Sequence, residues 1–535
     1  MTGIFRKLLA QRGLDEAFLY PKYEKLFDPY LMCDMEKAVA RIEQARDSGE
    51  KIAIFGDYDA DGVTASTVLY EALKHFGCNE IEVFLPDRFM DGYGMNESAV
   101  PRIEKYGAGL VITVDNGSGS EKIIRELKKR KIDTIVTDHH EIPEVPKSAV
   151  AVINPKRADE KYGKHMAGVG VAFTLARALN MRQNGGVCDG QEKWLLDLVA
   201  IGTICDSMVL REENRILSYF GMLVLSKTRR VGLRELAKVA GVKLNKINTH
   251  AVGFQLGPRI NAAGRMKSAE LALKLLMSQN RSEAFVLAQE LEGLNQERRR
   301  IQDEASKEVE KVYDANDRVI VVCGEWHEGV LGIIAGQIVE KYKKPAFALT
   351  KVKRGELKGS GRSFGDFSLA KVIQECKDLL LTGGGHALAC GVGMKANVLK
   401  DFKQRVNNYY DSLKLTDQER FLDMRTDIEL EDLGGISEEL YDEICLLEPF
   451  GEGNAEPLFE AELLIKGKRI LKERHLSLTM SDKKGNEMKM MAFFAPTEWL
   501  NLETNTRVLV QFSLSKNEWQ GTTRVEGAIT RLKQI

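Results

Sequence analysis

Apolar positions along this chain follow three successive rhythms. From about residue 50, short β-branched runs alternate with amphipathic stretches. Lys51-Ile52-Ala53-Ile54-Phe55, Glu82-Val83-Phe84-Leu85-Pro86, Leu110-Val111-Ile112-Thr113-Val114, Thr134-Ile135-Val136-Thr137 and Ala149-Val150-Ala151-Val152-Ile153 read as strands, with helices at Val63 to Leu73 and Glu121 to Arg130. That repetition predicts an α/β fold with a doubly wound parallel sheet. Trp194 to Ile204 is apolar at helical spacing and leads straight into Cys205-Asp206-Ser207.

The second rhythm is helical. Phe285, Ala288, Leu291, Leu294, Ile301, Ala305, Val309 and Val312 place one apolar face on a long helix, with Gly293 a weak point and Arg298-Arg299-Arg300 a basic patch. Such a helix suits a rigid connector between two globular regions. Arg318-Val319-Ile320-Val321-Val322 then opens a second α/β domain. In the last hundred residues the period shortens to that of strands. His475-Leu476-Ser477-Leu478-Thr479-Met480, Val508-Leu509-Val510-Gln511-Phe512 and Val525-Glu526-Gly527-Ala528-Ile529, with turn signals such as Lys483-Lys484-Gly485-Asn486, predict a small C-terminal β-barrel. The expected division is 1–280 with an N-terminal extension and a helical part, 281–315 the connector, 316–415 the second α/β domain and 416–535 the barrel.

Composition narrows this picture only slightly. A chain of 535 residues exceeds one ordinary core, and 44% hydrophobic content with 12 Pro indicates a globular protein. Basic and acidic residues number 77 and 78, so net charge gives no support for a nucleic-acid partner. Buried acidic ligands would subtract from that sum, which leaves the substrate open. No apolar stretch is long enough for a bilayer, and the N-terminal apolar core is too short for a signal peptide. The eight Cys form no CxxC pair. A reducing, cytoplasmic setting without membrane contact is expected.

The chemistry lies where strands stop. The first run ends at Asp57-Tyr58-Asp59-Ala60-Asp61-Gly62, Leu110 to Val114 at Asp115-Asn116-Gly117, and Thr134 to Thr137 at Asp138-His139-His140. Each cluster alone reads as an ordinary turn, helix cap or surface pair. Three such endings together are hard to assign to independent turns, because parallel strands deliver their carboxyl ends to one sheet edge. Aspartates and imidazoles converging there suit hard divalent cations, Mn²⁺ or Mg²⁺. The reading is a two-metal phosphoesterase. Lys358-Gly359-Ser360-Gly361-Arg362-Ser363 offers a second feature, an anion site of backbone amides, hydroxyls and one guanidinium, or else a solvated hairpin loop. Trp499, Trp519, Phe493, Phe494 and Phe512 suit either a stacking surface or a barrel core, with Phe512 expected in the core.

These motifs carry a resemblance. Gly-Asp-Tyr-Asp-Ala-Asp-Gly from Gly56, Val-Asp-Asn-Gly from Val114, Thr-Asp-His-His-Glu from Thr137 and Cys205-Asp206 resemble the DHH phosphoesterase superfamily. Gly383-Gly384-Gly385-His386-Ala387-Leu388-Ala389-Cys390-Gly391 is similar to the signature of the accompanying DHHA1 domain. Gly257 to Met266, Trp326 to Ile333 and Glu448 to Asn454 narrow the match to the RecJ family of bacterial single-strand-specific 5′ exonucleases, from about residue 50 onward.

The resemblance implies a DHH domain, a DHHA1 domain and an OB-like barrel. It implies two Mn²⁺ or Mg²⁺ ions held by Asp59, Asp61, Asp115, His139 and Asp206, with Asp115 bridging. Smaller members carry a His where this chain has Phe55, and Asp57 takes part of that role. His140 and His386 would stabilise the phosphoryl oxygens or the leaving group, and Gly383, Gly384, Gly385 and His386 would touch the nucleotide across a cleft. Ser360 and Arg362, with Arg88 and Arg265, would hold a 5′-phosphate. The implied activity is 5′-to-3′ hydrolysis of single-stranded DNA to mononucleotides in repair and recombination. The implied partners are single-stranded DNA, a single-strand-binding protein and a helicase, and the implied state is a monomer. Rival readings are a phosphodiesterase of short oligonucleotides or cyclic dinucleotides, a non-enzymatic DHH scaffold of a replication assembly and, more remotely, a pyrophosphatase.

Overall fold

A computed structural model describes residues 1–88, 94–142, 144–314, 316–352, 355–415, 426–472, 474–519 and 522–535, without the side chains of 518, 519 and 522. The first sheet contains β1 (Ile52–Phe55), β2 (Ile81–Phe84), β3 (Leu110–Val114), β4 (Asp133–Thr137) and β5 (Ala151–Ile153) in the order β2-β1-β3-β4-β5. Every pairing in it is parallel. Alternate residues face opposite helical layers. Ile52, Ile54, Leu110, Ile112 and Ile135 enter the core that also holds Val63, Val169 and Leu198, while Ala53, Phe55, Val111 and Val136 enter one with Ile103, Ile124 and Leu127. Both faces are therefore covered, as the expected doubly wound sheet requires. The order reverses between β1 and β3. That switch opens a crevice at the carboxyl edge.

The connector helix runs unbroken over Arg281–Val312, through Gly293. It is built into two cores: Ala284, Ala288 and Leu291 pack with the first domain, Ala305 and Val309 with the second. The expected basic patch divides. Arg300 pairs with Glu297 and Glu304 on the surface, whereas Arg298 is half-buried and donates to Asn295 and Gln302.

The second sheet contains β6 (Ile320–Gly324), β7 (Ala346–Lys351), β8 (Glu356–Arg362), β9 (Leu380–Gly385) and β10 (Ala389–Lys395), ordered β6-β7-β8-β10-β9. Only β6 and β7 pair in parallel within it. Strands β11 (Ile428–Glu429), β12 (Phe459–Leu471), β13 (His475–Ser481), β14 (Glu487–Ala492), β15 (Arg507–Trp519) and β16 (Thr522–Gln534) form the third sheet. Pairing of β12 with both β13 and β15 closes five of them into the expected barrel.

The N-terminal helix Gly3–Arg12 departs from the expected division. Its Phe5 and Leu8 lie in the barrel's core with Leu440 and Phe459, and Arg12 clamps Asp427 through two bonds of 2.7 Å. No described helix is long and apolar enough to cross a membrane.

Candidate metal and phosphate centre

Backbone geometry at the three strand ends gathers the acidic side chains. Asp57 follows β1 and is buried, and the chain turns at Asp59, whose carboxylate accepts from the Gly62 amide at 3.0 Å. That bond caps the helix Ala60–His75, so the ordinary reading of this turn holds alongside the functional one. A Cβ on Gly62 would lie 2.6 Å from that of Asp57, which is why the first turn of that helix carries a glycine. Asp61 points the other way and accepts the amides of Gly168 (2.7 Å) and Val169 (2.9 Å), at the start of the helix Gly168–Gln183.

Asp115, just past β3, is in a left-handed conformation, φ 61°, unusual for a non-glycine residue. Its neighbour His139 places Nε2 3.1 Å from Asp115 Oδ1, 3.6 Å from Asp206 Oδ2 and 3.8 Å from Asp61 Oδ2. Ligand atoms converge in three groups: Asp57, Asp59 and Asp115; Asp61, His139 and Asp206; and Asp115, His139 and His140. Asp115 and His139 are the shared members. Within each group the ligand atoms lie within 4.8 Å of one another.

Electrostatics make this cluster self-repelling as it stands. Burial, then Asp59, raises the Asp57 carboxyl to about 8, and burial, then Asp59, raises Asp206 to about 7. Asp61 and Asp115 are pushed well up by burial and by their acidic neighbours. Burial and the adjacent His140 bring His139 down to about 4, so its ring is neutral and able to ligate. Asp57 Oδ1 is buried without a hydrogen-bond partner among the described residues. Carboxylate and imidazole donors, no thiolate, excess negative charge and an orphaned oxygen fit hard divalent cations.

Asp138 has a different task. It accepts from the amides of Ser118, His139 and His140, and its Oδ1 lies 2.8 Å from His140 Nδ1. Burial would raise this carboxyl, but the His140 contact and the Ser118 bonds hold it at about 2. Burial likewise opposes the charged form of His140, and Asp138 overcomes it, lifting the ring to about 9. Sequence reasoning assigned Asp138 no role, although its place beside two His was a signal.

Glycines and a π-helix were also missed. An added Cβ on Gly168 would sit 2.6 Å from Asp115 Oδ1, and one on Gly202 would sit 2.7 Å from Asp61 Oδ1. The π-helix Val252–Leu256 leads into the helix Gly257–Met266, where Gly257 would place a Cβ 2.3 Å from Cys205 Sγ, next to Asp206. Asn261 on that helix accepts the Ala60 amide at 2.8 Å. These close approaches join elements distant in sequence, and only the glycine before the run Val169-Gly170-Val171 hints at one.

The phosphate-type residues also converge, in a form the sequence did not suggest. Lys358 to Arg362 is neither a loop nor a source of open amides. It is strand β8, paired on both sides, so those amides belong to the ladder. Gly359 and Gly361 are small because Leu349 and Val392, and Phe347 and Cys390, lie over them. Ser360 and Arg362, two apart, share a strand face. Both lie against Gly332, where an added Cβ would be 2.7 Å from Arg362 Nη2 and 3.4 Å from Ser360 Oγ, in the first turn of the helix Leu331–Tyr342. Arg265 reaches across from the first domain and donates to the Gly329 carbonyl. Burial lowers the Arg265 guanidinium to about 10, with Arg88, Arg298 and Arg362 adding repulsion. Arg88 stands 4.9 Å over the Tyr58 ring, beside Asp57. Four guanidiniums thus crowd next to the carboxylates, and Arg298 among them was read only as part of a basic patch on the connector helix.

The glycine-rich segment is less central. Gly383, Gly384 and Gly385 are exposed on β9, the edge strand, and Gly385 (φ 148°) approaches the Ala389 carbonyl too closely for a side chain. His386 is exposed just beyond and is not brought into any of the three ligand groups. Phe512 is fully buried and Trp499 packs partly against the barrel core, while the Trp519 side chain lies outside the described residues.

Comparison with known proteins places this geometry in a family. Residues 51–203 match the DHH family, N-terminal domain; 316–412 match the DHHA1 domain; 426–530 match the RecJ OB domain. The single-stranded-DNA-specific exonuclease RecJ of Escherichia coli (strain K12) is 33% identical across 100% of this chain and 96% of its own length. Its Bacillus subtilis (strain 168) counterpart is 37% identical over 97% of this chain, which spans 66% of that relative. The structure of RecJ in complex with Mn²⁺ from Thermus thermophilus aligns at TM-score 0.86 and 30% identity, covering 100% of this chain and 76% of that one. The Mg²⁺ complex from the same organism gives 0.81 at 29%. With all three domains matched in order and identity sustained along the chain, this protein belongs to the RecJ family.

Proposed function

We propose that this protein is a metal-dependent 5′-to-3′ exonuclease that hydrolyses single-stranded DNA to 5′-mononucleotides. One observation carries the reading: a carboxylate–imidazole cluster suited to divalent cations directly adjoins a crowd of guanidiniums suited to a terminal phosphate. Asp57, Asp59, Asp61, Asp115, His139 and Asp206 would hold two Mn²⁺ or Mg²⁺ ions, with Asp115 between them. When bound, the cations supply Lewis acidity, neutralising charge on the phosphoryl oxygens and acidifying water.

The rest falls to the chain itself. Arg88, Arg265, Ser360 and Arg362 hold the 5′-phosphate, so that only the first internucleotide bond reaches the cluster. His140, fixed at Nδ1 by Asp138, offers Nε2 to the phosphoryl oxygens or to the departing 3′-oxygen. His386, at the end of the glycine-rich strand, is proposed to meet the nucleotide from the second domain. The expected setting is repair and recombination in the cytoplasm, as a monomer, on strands exposed by a helicase and coated by a single-strand-binding protein.

A short-oligonucleotide or cyclic-dinucleotide phosphodiesterase would use the same cluster but would need neither the shared connector helix nor the docked barrel. The test is a gel of 5′- and 3′-labelled single- and double-stranded DNA with Mn²⁺, Mg²⁺ or EDTA. Labelled mononucleotide should appear first from the 5′-labelled single strand, and only with metal. Early release from the 3′ label, or equal cutting of blunt duplex, sinks the proposal.

A further inference from the structure

We infer that a cavity of about 270 Å³, at the far end of the helices that carry the carboxylate cluster, binds a small flat ligand and communicates with the metal centre. The ligand class is one with two adjacent N–H donors, as guanine or a guanidinium has. The communication rests on the proposed metal centre; the binding does not. Position is the first argument. The helix Ala60–His75 starts at Asp59 and Asp61 and ends at the cavity with Glu71, Ala72 and His75. The helix Gly168–Gln183 starts with the amides that Asp61 accepts and lines the cavity with Ala176 and Asn180. The 3₁₀ turn Gln191–Leu195 supplies Glu192 and Trp194, then runs directly into the helix Leu196–Cys205, which stops at Asp206. Each helix thus has one end on the cluster and the other on this cavity, roughly 15–24 Å away at 1.5 Å per residue. All three share one core, through Val68, Ala172, Leu175 and Val199 among others, and such close packing transmits small shifts.

Unsatisfied chemistry is the second argument. Asn180 is engaged with Asp189, donating to its carboxylate and accepting its amide. Glu71 is held by both terminal nitrogens of Arg230. Glu192 is different. It is only 4% exposed, its Oε1 accepts the Tyr23 hydroxyl at 3.0 Å, and its Oε2 has no hydrogen-bond partner among the described residues. Burial, then the Glu192 charge, push the Tyr23 hydroxyl well above its usual range, so it remains a donor. Arg177, which also bears on Tyr23, donates to the Phe27 carbonyl instead. A buried carboxylate oxygen without a donor costs free energy until one reaches it.

The lining selects the ligand. Among the described residues no Lys or Arg lines the cavity, so an anion finds no counter-charge there. Phe76 and Trp194 supply aromatic wall, the first buried and the second 38% exposed at the mouth. The Arg229 guanidinium already lies 3.8 Å over the Trp194 ring, which shows that this indole accepts a planar cation. A carboxylate is best met by two parallel N–H bonds, and aromatic walls favour a flat body. Guanine and a guanidinium satisfy both demands. Adenine, whose pairing edge sets one donor beside an acceptor, does not. A ligand that prefers one arrangement of the three helices would bias the cluster at their other ends, and linkage makes the effect mutual.

The test is calorimetric titration of the full chain, in EDTA, with guanosine, agmatine and adenosine. Guanosine or agmatine should bind saturably, and adenosine about tenfold more weakly or worse. The tighter of the first two identifies a nucleobase or a guanidinium metabolite as the source. Glu192→Gln, which keeps an acceptor for Tyr23, should weaken binding about tenfold or more. Trp194→Ala, at an exposed position, should also weaken it, and both variants should keep the wild-type rise in melting temperature with Mn²⁺. Saturating ligand should change Mn²⁺ affinity, read from that rise, by about fivefold or more, and Mn²⁺ should change ligand affinity by the same factor. The site is overturned if neither guanosine nor agmatine binds, if adenosine binds as tightly, or if both folded variants bind as wild type. Binding without any mutual effect of Mn²⁺ overturns the communication. If Mn²⁺ fails to raise the wild-type melting temperature at all, the metal centre falls instead, and the titrations in EDTA still judge the cavity.

Discussion

Asp115 sits at the most constrained point of the site. Its backbone is left-handed, its carboxylate is among like charges, and Gly168 lies against it with no room for a methyl group. Gly168→Ala would force the new Cβ to within 2.6 Å of Asp115 Oδ1 and would disturb the amide that Asp61 accepts. The expected result is at least a tenfold loss of Mn²⁺ affinity, read as a smaller metal-induced rise in melting temperature, with cleavage lost alongside. Wild-type metal response in a folded Gly168→Ala protein would show that Asp115 has space to move. At the neighbouring pocket the expectation is one of selectivity. A charge-assisted hydrogen bond contributes roughly 1.5–3 kcal/mol. Arg362→Ala should therefore lower activity on 5′-phosphorylated DNA roughly ten- to a hundredfold, and on 5′-hydroxyl DNA much less. Equal losses on the two substrates would place Arg362 elsewhere along the strand.

Elements were legible in the sequence wherever one local pattern decided them. The parallel strands, the connector helix and the barrel each follow from periodicity, and the ligands at three strand ends follow from that same sheet. What stayed hidden depends on distant partners. Gly359 and Gly361 mimic turn residues, but their size answers to Phe347, Leu349, Cys390 and Val392 on the flanking strands. The helix Gly3–Arg12 gives no sign that Arg12 will meet Asp427, 415 positions away. Asp138 carried no assigned role in the sequence, and only its three amide bonds and the 2.8 Å contact with His140 Nδ1 mark it as the support for that ring. The β13–β14 hairpin shows how one side chain can fix an element. Asp482 accepts the amides of Leu433, Lys484 and Asn486 and the Asn486 side chain. Burial opposes its charge, yet these bonds hold the carboxyl at about 2, below its unfolded value of about 3.9. Its contribution is thus present above about pH 4 and is lost as pH falls toward 2. Asp482→Ala should cost about 1–3 kcal/mol at neutral pH in urea unfolding, and the gap to wild type should close through that acid range. A gap that persisted at pH 2 would mean the carboxylate charge contributes nothing to the hairpin.

At the scale of the whole molecule, one buried guanidinium joins the barrel to the first domain. Arg215, on the helix Glu212–Leu225, donates to the carbonyls of Leu446, Leu447 and Glu448 just past the helix Glu438–Cys445, and to that of Phe18. Its guanidinium also lies 4.3 Å over the Phe18 ring. Burial brings it down to about 10, which leaves it charged at neutral pH, facing the negative end of a helix dipole. The Arg211 bond to the Gly453 carbonyl and the Leu210 amide bond to the Glu452 carbonyl extend the same seam. Arg215→Met keeps much of the apolar stem but leaves one buried and three partly buried carbonyls without this donor, at a cost on the order of 3 kcal/mol. Arg215 stands on a helix outside the barrel, so the barrel should stay folded while its docking loosens. Amide exchange should rise at 446–453 and around Phe18, with little change in β12 to β14. The ligand cluster and the guanidinium pocket lie outside this seam, so cutting of very short 5′-phosphorylated strands should fall little. Long strands, which would reach the barrel, should be held less tightly. Unchanged exchange at 446–453 in Arg215→Met would show that the apolar contacts of Phe18 and the N-terminal helix suffice to dock the barrel without this guanidinium.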